Sequence, residues 1–251
     1  MVVNNASQLQ GLQTIGRVVA QVLTAMQAHA QSGMSTAELD HYGATLLAQA
    51  GAESAPQLCY AFPGATCISV NAEAAHGVPG ERRLAAGDVI NIDVSAMLAG
   101  YFADTGASFV LQPDDSPAAA FKQRLCDAAL RARDAGIAAV RAGRRINEVG
   151  RMIERTVRTS GFRIVRNVCG HGVGTTLHED PVMRNYFDPR DTQTLQVGQV
   201  ITIEPYLATN VSRVRELDDG WTLAGRPSSL FAQHEHSIVV TDAEPIILTA
   251  V

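Results

Sequence analysis

Two carboxylates stand where a strand does not welcome them. Asp93 lies inside the β-branched run Asp88-Val-Ile-Asn-Ile-Asp-Val-Ser95, and Asp104 follows 11 residues later across the turn-forming pair Ala99-Gly100. Asp is a poor strand residue. A turn centred at residues 98–99 sets the two acids directly opposite each other, and opposed like charges weaken a strand pair. Two local rules broken at one place point to a site where something compensates. A shared proton would do so, and so would a cation between the acids. The bland alternative is an exposed hairpin with solvated acids.

The second half supplies three more groups of the same kind. Glu204 interrupts the apolar run Val200-Ile-Thr-Ile-Glu-Pro205, and Glu235 lies in Gln233-His-Glu-His-Ser-Ile-Val-Val-Thr241. His171 sits in Gly170-His-Gly-Val-Gly174, where glycines let an imidazole approach a ligand closely. The four carboxylates Asp93, Asp104, Glu204 and Glu235 carry charge that two divalent cations would neutralise. An oxygen-rich set with one imidazole and no thiolate suits Mn, Fe(II), Co or Zn in an open hydrolytic site, not a structural zinc site. Two such ions can activate a water and polarise a carbonyl.

The surrounding sequence must hold these groups in place. Residues 8–31 carry Leu12, Ile15, Val18, Val19 and Val22 at helical spacing. Ser35-Thr-Ala-Glu38 reads as a capping box opening a second helix, with Gly51 as its stop. Strands are expected at 88–95 and 107–111. A long Ala-rich helix begins at Ser116-Pro117, suited to a first helical turn, and runs to about Ala142. Asn147 can cap another helix ending at Gly161, and strands follow at Arg163–Val168, Val200–Leu207, His236–Thr241 and Ile246–Thr249. The order helix-helix-strands therefore occurs twice. No Gly/Ser or Pro-rich linker separates the halves. The expectation is one α+β domain over residues 1–251, with lobes near 1–115 and 116–251, and helices covering one face of a curved, mostly antiparallel sheet.

Composition excludes several classes. The 251 residues are 46% hydrophobic and 18% charged, with 21 Gly and 10 Pro, which rules out a disordered, collagenous or coiled-coil chain. A net charge of −5 gives no global attraction to nucleic acid or anionic membrane. The cysteines Cys59, Cys67, Cys126 and Cys169 form no C-x-x-C pair. No basic-then-apolar leader and no stretch of about 20 apolar residues is present, so a cytoplasmic protein with reduced thiols is expected.

Eight segments in order resemble the methionine aminopeptidases: Cys67-Ile-Ser-Val-Asn71, Ala75-His-Gly-Val-Pro79, Asn91-Ile-Asp-Val94, Ala103-Asp-Thr105, Gly170-His-Gly-Val-Gly174, Leu177-His-Glu-Asp-Pro181, Ile203-Glu-Pro205 and Gln233-His-Glu-His236. The resemblance implies the two-lobed pita-bread fold and two divalent ions, Co, Mn, Fe(II) or Zn. It implies that Asp93, Glu204 and His171 each serve mainly one ion and that Asp104 and Glu235 bridge the pair. Glu204 would also shuttle a proton from the attacking water to the leaving amine. His76 would bond the scissile amide nitrogen, and His178 the carbonyl oxygen or tetrahedral intermediate. His234 and His236, flanking Glu235, are expected to point away from its carboxylate in a supporting role.

The resemblance maps a methionine pocket onto Cys59, Phe62, Cys67, Leu177 and Trp221. Leu177 and Cys59 stand where the family usually carries aromatics, and Phe231 where smaller residues are frequent. Such changes keep a pocket apolar and shift selectivity by about 1–3 kcal/mol. Only 25 residues separate His178 from Glu204, too few for the type 2 helical insertion. With no leading zinc-finger segment either, a short bacterial type 1 form is implied. The substrate implied is the N-terminal methionine of nascent polypeptides with a small second residue, with a monomer as the family default. Arg82, Arg83, Arg213 and Arg215 would form a local basic patch for ribosome contact, though they read more simply as solvated loops. Competing readings are a Xaa-Pro aminopeptidase or prolidase on the same fold, and a non-catalytic binding protein that has lost its ligands.

Overall fold

The computed structural model describes residues 1–250. Helix α1 (Ala6–His29) starts under Asn5, whose side chain accepts from the Gln8 amide, and buries Leu12, Ile15, Val19, Val22 and Met26 along one face. Helix α2 (Thr36–Gln49) opens in the expected capping box: Ser35 Oγ accepts from Glu38 N at 3.1 Å, and Glu38 Oε2 accepts from Ser35 N at 2.6 Å. A short helix that sequence reading did not anticipate, α3 (Ala55–Tyr60), follows and is ended by left-handed Ala61. Helices α4 (Pro117–Ala139) and α5 (Ile146–Arg158) serve the second half. Asn147 does not cap α5. Arg145 occupies that position without a side-chain bond, and Asn147 lies inside the first turn, donating to the Asp188 carbonyl at 3.1 Å.

The first half is organised on a long hairpin, Val89–Leu98 and Tyr101–Val110. Its second strand begins well before the expected residue 107. The turn residues Ala99 and Gly100 both have positive φ, 52° and 83°, as tight two-residue hairpin turns demand. Leu98 pairs with Tyr101, so Asp93 faces Gly106 and Asp104 faces Ser95. The two acids are thus diagonal neighbours, not directly opposed as the sequence reading placed them. The turn lies one residue further along than the one that would oppose them. Both acids stay on one face all the same, because side chains alternate with a period of two. Cys67–Val70 and Glu53–Ser54 pair along the other edge of Val89–Leu98.

In the second half a five-stranded antiparallel sheet runs in the order Ile246–Ile247, His236–Val239, Val200–Ile203, Gly170–Gly172, Glu179–Met183. The expected strand 200–207 is broken at Glu204-Pro205, where proline has no amide hydrogen to give a ladder. It resumes as Tyr206–Ala208, paired with Phe231–Gln233 and with Arg163–Ile164. Only that last pair of residues is strand in the expected span 163–168.

Alternation sorts each strand into an apolar and a polar face. Ile90, Ile92 and Val94 pack with Ile15, Val19, Met26 and Leu39 of α1 and α2. Ile201, Ile203 and Ile238 pack with Leu125, Ala129 and Ile153 of α4 and α5. Each such burial contributes roughly 1.5–3 kcal/mol. The intervening residues Asn91, Asp93, Thr202 and Glu204 therefore project to the side away from the helices. The halves join where Glu235 N donates to Gly106 O at 2.8 Å and Thr105 Oγ1 donates to Glu235 O at 3.0 Å. Ser237 Oγ accepts from Asp104 N at 3.0 Å and donates to Asp104 O at 2.7 Å.

Candidate active site

The five acid and imidazole residues converge on the polar side of that junction. One ligand atom each from Asp104, His171 and Glu235 lies within 4.8 Å of the others. His171 Nε2 is 3.3 Å from Glu204 Oε1 and 3.7 Å from Asp104 Oδ2. Asp93 shares a hydrogen bond with Asp104. His171 Nδ1 donates to the Gly172 carbonyl at 2.9 Å. That leaves the Nε2 lone pair facing the carboxylates, the usual arrangement of a metal-binding histidine.

Electrostatics show how unsatisfied this cluster is as bare protein. Burial pushes all four carboxyls up: Asp93; Asp104, raised further by Asp93 and Glu204; Glu204, to about 8; and Glu235, raised further by Asp104. Burial, and then His178, hold His171 down to about 3. Asp104 Oδ1 and Glu235 Oε1 are buried without any hydrogen-bond partner. A buried acceptor left unpaired costs about 1–3 kcal/mol. Divalent cations fit both observations, since they accept the orphaned oxygens as ligands and favour the ionised carboxylates.

Several supporting residues gave no recognisable sequence signal. Thr202 Oγ1 accepts from His171 N at 3.0 Å and donates to Glu204 Oε1 at 2.8 Å, tying two of the five together. Gln233 Nε2 donates to Glu235 Oε2 at 2.9 Å, while Gln233 Oε1 accepts from Asn91 Nδ2 at 2.9 Å. Tyr206 is fully buried, and its phenol bonds Glu204. His236 Nδ1 pairs with Thr249 Oγ1 at 2.8 Å, in keeping with a supporting place away from the Glu235 carboxylate.

A cavity of about 400 Å³ opens onto the cluster. Its wall includes His76, Asp93, Asp104, His171, His178 and Glu204, together with Phe62, Cys67, Leu177 and Trp221. Phe62 and Trp221 meet edge to face with centroids 5.2 Å apart. Burial, and then Asp93, keep the Cys67 thiol protonated. Cys59, expected in this pocket, is set back from the wall among the residues packed behind Leu177, its thiol 3.9 Å from Thr176 Oγ1. Phe231 packs with Tyr206 and Val165, away from the cavity wall.

His76 enters the cavity from a left-handed backbone position, φ 53°. The adjoining Gly77 allows this: a Cβ there would lie 2.3 Å from the Ile68 carbonyl oxygen. Burial lowers the His76 pKa, and it holds His178 at about 4, with His76 adding to the effect. Both imidazoles are therefore neutral near pH 7 and each has one N–H to offer. His178 follows a loop clamped by Glu179, whose carboxylate accepts from Thr175 N at 2.6 Å and Thr176 N at 2.9 Å. Glu179 also pairs with the Met1 ammonium.

Residues 10–242 match the model of metallopeptidase family M24. The chain belongs to this family. It is 44% identical to methionine aminopeptidase 2 of Bacillus subtilis over 251 residues, covering 99% of each chain. The solved methionine aminopeptidase of Rickettsia prowazekii superposes with a TM-score of 0.93 at 29% identity, each chain fully covered. The prolidase of Pyrococcus furiosus shares the fold at a TM-score of 0.79 and 20% identity, but this chain spans only 66% of it. The pita-bread architecture expected from the motifs is thus the architecture of this M24 chain. No described helix is long and apolar enough to cross a membrane.

Proposed function

We propose that this chain is a dinuclear metallo-aminopeptidase that removes N-terminal methionine from polypeptides with a small second residue. The observation carrying this reading is the closed cluster of Asp104, His171 and Glu235, extended by Asp93 and Glu204, at the floor of an apolar cavity with two neutral histidines. Whole-length identity to methionine aminopeptidases supports the substrate class. Phe62, Cys67, Leu177 and Trp221 supply apolar lining to the cavity, the surface an unbranched thioether side chain packs against. One catalytic domain with two lobes agrees with the hydrogen bonds that join the halves across the site.

Asp93, Asp104, His171, Glu204 and Glu235 would hold the ions, taken from Mn, Fe(II), Co or Zn. When bound, divalent ions polarise the scissile carbonyl and acidify a water. Glu204 takes the proton from the attacking water and delivers it to the departing α-amine. His76 donates to the scissile nitrogen as the centre becomes tetrahedral and that nitrogen regains its lone pair. His178 donates to the carbonyl oxygen, where negative charge develops as the centre becomes tetrahedral. The substrate enters as the N-terminus of a nascent chain in the cytoplasm, handled by a monomer. Ribosome contact would fall to the exposed Arg163, Arg213, Arg215 and Arg226 around an open hollow of about 530 Å³. Arg82 is held by Glu73 at 2.6 Å and does not join them.

Chelated protein should be inactive and should regain cleavage of a Met-Ala-Ser peptide with Co, Mn or Fe(II), leaving a Leu-Pro peptide intact. Preference for Xaa-Pro would refute the methionine reading. Inactivity with every metal in a folded sample would favour a binding protein.

A further inference from the structure

One side chain at the cavity mouth has no place in the mechanism above. Tyr60 ends α3, and its hydroxyl lies 2.7 Å from His178 Nδ1, with the rings tilted at 49° and 5.5 Å between centroids. The contact joins opposite halves of the chain, 118 positions apart. Tyr60 is 44% exposed, so water could satisfy the phenol without this contact.

Both partners are fixed locally before they meet. Ser54 Oγ donates to the Ala65 carbonyl at 2.8 Å, and its oxygen caps α3 by accepting from Gln57 N. Left-handed Ala61, φ 55°, then turns the chain from Tyr60 into Phe62, whose amide returns to Pro56 O at 3.2 Å. On the other side, the His178 ring lies against His171, with 4.2 Å between centroids. Glu179 anchors the next residue.

A neutral imidazole has one N–H, and the bond made by one nitrogen decides where that proton sits. A phenol donates readily and accepts poorly, because its lone pair is shared with the ring. The Tyr60 hydroxyl carries a proton and lies within donating distance of Nδ1, 2.7 Å away. With O–H pointing at Nδ1, the imidazole proton is confined to Nε2. That nitrogen is the one left to face the substrate. We propose that Tyr60 is a positioning residue for His178, fixing the Nε2–H tautomer and the ring plane so that a single donor is aimed at the scissile carbonyl oxygen. This rests on the reading of His178 as that donor.

The test uses full-length, zinc-loaded protein with ¹⁵N-labelled histidine. In the wild type at pH 7.5, His178 Nδ1 should give a pyridine-type nitrogen resonance and Nε2 a pyrrole-type one. Tyr60→Phe keeps the ring and removes only the hydroxyl, at an exposed position. It should shift both resonances toward the tautomer average. It should also lower kcat on Met-Ala-Ser about tenfold while KM changes less than about twofold. Tyr60→His, which restores a donor, should recover part of the loss. A wild-type resonance pattern with the proton on Nδ1, or a Tyr60→Phe pattern identical to the wild type, would overturn the proposal. His178→Ala separates the two claims. Wild-type kcat in that variant would refute the role of His178 itself, whatever the tautomer of the native ring.

Discussion

Thr202→Val removes one hydroxyl from the middle of the metal cluster and leaves the shape of the side chain almost unchanged. Thr202 is fully buried, accepting from His171 N at 3.0 Å and donating to Glu204 Oε1 at 2.8 Å. Valine would strand the His171 amide, costing about 1–3 kcal/mol of folding stability. It would also remove the hydrogen bond that most opposes the rise in the Glu204 pKa caused by burial, so the carboxyl would hold its proton to higher pH. Residues that orient metal ligands typically contribute 10–100-fold in metal affinity or activity, or about 1.4–2.7 kcal/mol. Two measurements check this. Urea unfolding of the metal-free variant should show the stability loss with an unchanged m-value. Calorimetric titration with Mn should show affinity falling by at least about tenfold at pH 7.5, with a smaller deficit at higher pH where Glu204 ionises. Native stability and native affinity together would refute the claim that Thr202 organises the centre.

Two further outcomes follow from the loops that carry the histidines. Hydrogen bonds from the Met1 ammonium, Thr175 and Thr176 outweigh burial at Glu179 and hold its pKa at about 2, against an ordinary 4.5. A depressed carboxyl pKa contributes stability that is complete above the unfolded value and is lost as pH falls from about 4.5 toward 2. Acid unfolding should therefore flatten over that window in Glu179→Gln. Gly77→Ala places a Cβ 2.3 Å from the Ile68 carbonyl oxygen, which is backbone and cannot swing aside. It should cost about 1–3 kcal/mol in thermal unfolding and slow turnover by displacing His76, with metal content unchanged in elemental analysis.

The hairpin shows what the sequence alone could and could not specify. Ala99-Gly100 is legible as turn chemistry, but opposing the two acids requires a centre at 98–99, and that one-residue difference moves every cross-strand partner by two residues. The side-chain period is also two, so the error changed who faces whom and spared the face. Asp93 and Asp104 were therefore legible as a pair, though not in the right register. Glu204 and Glu235 were legible for a related reason, as acids inside apolar strand texture. Thr202, Gln233 and Tyr206 break no such rule: a Thr in a strand, or a Tyr after a proline, is unremarkable until the partner across the fold is known. Tyr60 was hidden because α3 is only six residues long, too short for helical periodicity. Asn147 has the look of a cap in sequence, but a cap-forming residue can equally bond a distant carbonyl, here that of Asp188. Cys59 matched a pocket position in the family pattern, but its place depends on how α3 turns, which no local pattern specifies.

The central claim is that five residues hold two ions while two histidines serve the substrate without binding metal. The most direct measurement is metal stoichiometry beside turnover in three proteins: wild type, Glu235→Gln and His76→Ala. The wild type should take up two equivalents and cleave Met-Ala-Ser. Glu235→Gln is close to isosteric at a fully buried ligand carrying one of the orphaned oxygens. It should lose at least one equivalent and nearly all activity. His76→Ala should retain both equivalents while kcat falls at least about tenfold, the scale of a lost transition-state donor. Full metal content and full turnover in Glu235→Gln, or loss of both ions in His76→Ala, would contradict the account.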